Sequence, residues 1–135
     1  MIRQYVELTR NHAQEAKDFS SWDLDIDWTV YEQAHEKGSM TTLGAFVGQE
    51  LVGYASFLFY HDHKFANKVI AKQDAIYISP DLRGVGREFI EWIDEHLKTL
   101  GVEAVYHEVK TQVDWSSALL DKGYKRTSIV YSKEL

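Results

Sequence analysis

The stretch Asp74–Leu100, DAIYISPDLRGVGREFIEWIDEHLKTL, decides how the chain is read. It opens as an apolar strand (Ala75 to Ile78), turns at Pro80, the only proline, and passes a glycine pair, Gly84 and Gly86. The apolar residues Phe89, Ile90, Ile93, Leu97 and Leu100 then share one face of a helical period, and Gly101 stands where a C-terminal cap belongs. Strand, glycine turn and helix start together make an anion site. Glycines let main-chain N–H groups approach a phosphate, the first-turn amides lack helical partners, and the helix dipole is positive there. Arg83 and Arg87 add two charged donors suited to phosphate oxygens. The turn is therefore predicted to hold a phosphate-bearing cofactor through Arg83, Gly84, Val85, Gly86, Arg87 and Glu88.

Three phosphate-binding patterns compete for this turn. A P-loop ends in Gly-Lys-Ser/Thr, whereas Gly86 is followed by Arg87 and Glu88. The dinucleotide fingerprint needs glycine where Phe89 stands, and it normally opens a fold rather than following half the chain. The third pattern fits better. The segment resembles motif A of the GNAT superfamily of N-acetyltransferases, whose Q/R-x-x-G-x-G/A turn holds the pyrophosphate of acetyl-coenzyme A. Anchored on Arg83, Gly86 takes the middle glycine and Glu88 falls where Gly or Ala is usual. Anchored on Gly84-Val85-Gly86, Phe89 and Ile90 match the family's paired leucines, but Asp81 takes the Q/R position. A turn about two residues shorter than usual reconciles the two.

Composition sets the outer bounds. With 135 residues the chain suits a single domain, 1–135, burying about two-thirds of its unfolded surface. Hydrophobic residues make up 44% and charged residues 27%, ordinary for a soluble globular protein. No apolar run is long enough to span a membrane, and MIRQYVEL lacks a signal-peptide pattern, so a cytoplasmic location is expected. The absence of cysteine excludes disulfides, thiolate metal sites and a cysteine acyl-enzyme. A net charge of −6 argues against a general nucleic-acid binder and leaves room for a cationic acceptor.

The chain in order supplies the layout. Ile2 to Leu8 alternates apolar and polar residues and is predicted as a strand. Thr9 or Asn11 caps a helix reaching about Trp22, and a second short helix spans Thr29 to Lys37, stopped by Gly38. Thr41–Val47 and Leu51–Tyr60 form a hairpin around Gly48-Gln49-Glu50. His61–Asn67 is a polar loop or hairpin tip, and Lys68–Ser79 is the fourth strand, leading into the glycine turn. Ala104–Val109 is a fifth strand, Asp114–Lys122 a short helix and Arg126–Ser132 a final strand. The crossover helix implies two parallel strands, so the fold class is α/β (α+β): a mixed, mostly antiparallel sheet of about six strands flanked by helices. AFVGQELVGYASF is also similar to the family's hairpin, and the element order is that of the GNAT fold, so the resemblance covers nearly the whole chain.

Acyl transfer to an amine needs a base, a donor to the carbonyl oxygen and a means of releasing the thiolate. The resemblance implies the base is Asp74, the fourth-strand carboxylate ahead of the pantetheine contacts. It implies that main-chain groups of Ile76 and Ile78 pair with the pantetheine arm and that the Ile78 N–H serves the carbonyl oxygen. Leu119 stands where the family usually carries its acid, a tyrosine four residues before a Gly-aromatic pair, here Gly123-Tyr124. Tyr106, His107 and Tyr124 are the nearby substitutes, with Ser116 and Ser117 behind them; water can also protonate the thiolate.

Two further clusters are weighed and set lower. His61-Asp62-His63 is half a metal site without further ligands, so no metal is expected. Asp23, Asp25 and Asp27 begin like a calcium loop, but Trp28 and Ala34 occupy positions that need Gly and Glu. Flanked by Trp22 and Trp28, these aspartates could instead attract an ammonium group. The sequence thus points to an acetyl-CoA-dependent N-acetyltransferase acting directly on a primary amine, small molecule or protein. The alternative is a catalytically silent acyl-CoA-binding or protein-interaction module on the same fold. No membrane partner is expected, and a homodimer is left open.

Overall fold

The computed structural model describes residues 3–19 and 21–135, with the main chain alone at Leu82 and Arg83. The strand expected at Ile2–Leu8 is replaced from Arg3 onward by helix α1 (Arg3–Ala16), while Ile2 lies outside the described residues. Seven alternating residues suit either period. Over 14 residues, Tyr5, Leu8, Thr9, His12, Ala13 and Ala16 recur at helical spacing on one face, and the helix prevails. Gln4 ties α1 to the hairpin: its Nε2 donates to Gln49 O at 3.1 Å and its Oε1 accepts from Leu51 N at 2.6 Å. The helix stops at Ala16 rather than near Trp22, and an irregular loop leads to α2 (Trp28–Glu36). Asp27 starts α2 by accepting from Thr29 N and Val30 N.

Among the described residues the sheet has four strands in the order β1 (Met40–Val47), β2 (Glu50–Asp62), β3 (Phe65–Ile78) and β4 (Ala104–Tyr106). The first three are antiparallel, and β4 runs parallel to β3. Between β3 and β4 come a 3-10 turn (Pro80–Val85) and the crossover helix α3 (Gly86–Thr99), followed later by α4 (Ser116–Asp121). The mixed, helix-flanked architecture is the expected one, with four strands in place of about six. Besides the lost first strand, β4 ends at Tyr106 instead of Val109. Arg126–Ser132 carries strand-prone residues but joins no ladder, leaving Ile129, Val130 and Tyr131 exposed. Propensity to extend does not supply a pairing partner.

Two clusters pack the faces. On the α3 face Ala55, Phe57 and Ala71 meet Phe89, Ile93 and Leu97; on the other face Tyr54 and Leu51 meet Tyr5 of α1. Of the helical stripe read from the sequence, Phe89, Ile90, Ile93 and Leu97 are buried, whereas Leu100, at the C-cap, is exposed. Gly101, at φ +83°, closes the helix as expected, with Val102 N donating to Leu97 O and Gly101 N to Lys98 O.

Candidate active site

The site begins with an irregularity in β3. Ser56 pairs with Ala75 but Phe57 pairs with Gln73, so Asp74 is an extra residue, a β-bulge. The bulge shifts the alternation. Ala71 lies on the α3 face before it and Ile76 and Ile78 after it, while Ala75 and Tyr77 join the α1 cluster. Asp74 itself meets α2, where Tyr31 Oη donates to its Oδ2 at 3.0 Å. Burial raises the Asp74 carboxyl above its ordinary value, and the Tyr31 hydrogen bond opposes that rise. One flank of Asp74 stays open to solvent, which limits the shift. Tyr31 is pushed well up, first by burial and then by the charge of Asp74 and the hydrogen bond it makes. The hydroxyl keeps its proton and serves as a fixed donor.

Beside the bulge the sheet comes apart. The β3–β4 ladder covers Ile70↔Ala104, Ala71↔Val105 and Lys72↔Tyr106 and then stops. The next pair is bridged by side chains: His107 Nδ1 lies 2.8 Å from Gln73 Oε1, and Gln73 Nε2 donates to Glu108 O at 3.3 Å. Past this bridge opens a cavity of about 180 Å³. Gln73, Ile76, Tyr77 and Ile78 line one wall, and Glu108, Lys110, Val113, Trp115 and Ala118 the other. His12, Glu15 and Ala16 of α1 and Gly86, Phe89 and Ile90 of α3 close its ends. His12 stacks on Tyr77 with centroids 5.0 Å apart, and its Nδ1 is 2.7 Å from Tyr54 Oη.

The glycine turn meets this cavity at Gly86, the first residue of α3. The N-cap, Val85, offers no side-chain hydrogen bond, so among the described residues the first-turn amides have no side-chain cap. A Cβ built on Gly84 or Gly86 would touch nothing within 4 Å, and neither glycine has a positive φ. Neither packing nor main-chain conformation demands glycine at these positions. Close approach of a ligand would, so the turn fits a phosphate group. Val85 and Glu88 are exposed, and Arg87 pairs through Nε with Asp121 Oδ2 of α4 at 2.7 Å. The side chain of Arg83 lies outside the described residues.

The three substitutes for the acid do not gather at the cavity. Tyr106 is exposed at the end of β4. Tyr124 donates to Asp94 Oδ1 of α3 at 2.5 Å, beside a separate groove along β4. His107 sits behind the cavity wall, and burial pushes it down to about 4. Ser116 is occupied with Asp114. In the acidic loop, Asp27 caps α2, and Trp22 Nε1 donates to Glu134. Nearby, Lys110 reaches Asp18 at 2.9 Å. His61 Nδ1 meets Lys68 O, and among the described residues no three His, Cys, Asp or Glu side chains gather as a metal site.

Sequence reasoning missed Tyr31, Gln73 and His12. Tyr31 looks like any aromatic on a short helix, and its partner is 43 residues away. Only the α2 face, not the residue, could have been flagged.

An acetyltransferase (GNAT) family model matches residues 5–123. No curated protein sequence matches the chain significantly. Among solved structures, an aminoglycoside acetyltransferase from an uncultured soil metagenomic sample, in complex with sisomicin, superposes with a TM-score of 0.71 at 14% identity. The match covers 98% of this chain and 86% of that one. A predicted acetyltransferase from Clostridium acetobutylicum with acetyl-CoA gives 0.70 at 10% identity, covering 96% and 88%. A ribosomal-protein-alanine N-acetyltransferase from Brucella melitensis biovar Abortus 2308 gives 0.70 at 18%, covering 98% and 90%. At these identities the structures show a shared fold. With the family model spanning most of its length, the chain belongs to the GNAT family of acetyltransferases.

Proposed function

We propose that the protein is an acetyl-CoA-dependent N-acetyltransferase that passes the acetyl group directly to a primary amine. The observation that carries this reading is the splay of β3 from β4 beside the Asp74 bulge, opening at Gly86 onto an uncapped helix start. Acetyl-CoA supplies the activated acetyl group as a thioester. The amides from Gly84 to Glu88 would hold its pyrophosphate, and the main chain along Ile76 and Ile78 would run beside its pantetheine arm. Asp74, on the α2 side of the same strand, would accept the proton that the attacking amine releases. Tyr31 keeps that carboxylate hydrogen-bonded and oriented. As the new C–N bond forms and the C–S bond breaks, the thiolate leaves and takes a proton from water.

The acceptor class follows from charge. Asp74 lies beside the aromatic pair Trp28 and Tyr31, whose centroids are 5.8 Å apart, in a chain of net charge −6. Carboxylate and aromatic faces together favour a cationic amine. Two of the structural neighbours are described as acting on aminoglycosides and on a ribosomal-protein alanine, which is consistent with an amine acceptor.

Gly86→Glu tests the cofactor site, because a Cβ added at this position meets no protein atom within 4 Å and the fold should persist. Calorimetry should show binding of acetyl-CoA to the parent protein and at least about tenfold weaker binding to the variant, about 1.4 kcal/mol. Unchanged affinity would refute the assignment. Coenzyme A release across a panel of amines then separates an enzyme from a silent binding module, which would bind the thioester without turnover.

A further inference from the structure

The side-chain bridge at the point where β3 and β4 part has a direction. A main-chain carbonyl can only accept, so Glu108 O turns the Gln73 amide with Nε2 toward itself and Oε1 toward His107. His107 must then donate from Nδ1–H, which leaves Nε2 as a bare lone pair. Nε2 is buried and has no hydrogen-bond partner among the described residues. The ring is held edge-on by Phe57, Trp115 and Tyr124, with centroids 5.6, 5.4 and 5.1 Å away. A neutral imidazole with one fixed tautomer therefore joins the last paired residues to the first splayed ones.

We propose that Gln73 and His107 form a clasp that sets the width of the cleft and so positions the pantetheine arm, both acting as positioning residues. This rests on the acetyl-CoA reading above. Three observations converge on it. The ladder ends one residue before Gln73 on β3 and one before His107 after β4. Gln73 itself lines the cavity, as does Trp115, which packs on the imidazole. Lys110 on the same wall pairs with Asp18, a partly exposed ion pair of the kind that contributes little.

The test uses Gln73→Leu, His107→Phe, the double variant, and His107→Gln, which can still donate to Gln73. Calorimetry with coenzyme A should show each of the first two weakened by about tenfold. Their combination should be no weaker than either alone, because the partners act as one unit. His107→Gln should bind within about twofold of the parent. Nitrogen-15 spectra of the labelled imidazole, which need no ligand, should show a protonated Nδ1 and a bare Nε2. Affinities within twofold for both single variants, losses that multiply in the double variant, or a proton on Nε2 would each overturn the clasp. If the parent protein fails to bind coenzyme A, the cofactor assignment falls instead. In that case the imidazole spectrum and faster amide exchange at Glu108–Lys110 in Gln73→Leu still decide the clasp. If His107→Phe does not fold, Gln73→Leu and the spectrum decide it in the same way.

Discussion

Replacing His107 by phenylalanine should reverse its effect on stability between neutral and acid pH. In the parent, burial lowers the imidazole from an ordinary 6.5 to about 4. The unfolded chain therefore binds a proton more readily than the folded one between those values, and stability falls as pH falls. At about 1.36 kcal/mol per pH unit the full loss is about 3 kcal/mol, most of it accrued by about pH 4.5. The stabilisation is complete above 6.5 and gone below about 4. Among the described aromatic rings packed on the imidazole, Tyr124 is the titratable one, its hydroxyl is committed to Asp94, and burial is the cause of the shift.

Phenylalanine keeps the edge-on packing against Phe57, Trp115 and Tyr124 but removes the donor to Gln73. At pH 7 the variant should be about 1–2 kcal/mol less stable, the cost of a part-buried acceptor left without its partner. At pH 4.5 it no longer carries the linkage penalty and should equal or exceed the parent. Urea unfolding at the two pH values, followed by tryptophan fluorescence, measures both. Carboxylates elsewhere titrate in both proteins and cancel in the difference. A stability difference that stays constant with pH would refute the buried, neutral imidazole.

Two further predictions concern β3. Tyr31→Phe removes the hydrogen bond that holds the Asp74 carboxyl down, so that carboxyl should rise. A base must be deprotonated, so the acid limb of kcat/KM should move to higher pH, with little change in coenzyme A affinity. A limb that does not move would remove Asp74 from the mechanism. Gly53→Ala would place a methyl 2.7 Å from Tyr77 O and 3.2 Å from Ile78 Cγ1. The close contact is with main chain, so β3 must shift along the cavity wall. We expect about 1–3 kcal/mol of destabilisation by urea titration, together with weaker coenzyme A binding.

What the sequence reveals here tracks the range of the interaction. The glycine turn, the stripe of α3, the Gly101 cap and the hairpin at Gly48 are local, set by residues within a few positions of one another, and all are legible. Seven N-terminal residues carry a local signal too, but alternation over so short a span suits helix and strand alike. Only docking against Tyr54 and the hairpin selects the helix. Arg126–Ser132 shows the converse: its residues favour extension, yet a strand is a property of two segments, and no second one pairs with it.

The chemistry of the site is non-local. Asp74 could be placed by resemblance, but its orientation comes from a bulge defined against β2 and a tyrosine 43 residues away. The Gln73–His107 pair spans 34 residues. In the sequence His107 reads as a titratable residue near the motif and so as a candidate acid. In the fold its ring is enclosed by three aromatic rings, its proton is directed at an amide oxygen, and it does not line the cavity. The same burial that lowers its proton affinity makes it a rigid, uncharged strut. A residue held neutral far below physiological pH is poorly suited to delivering protons and well suited to keeping two strands at a fixed distance.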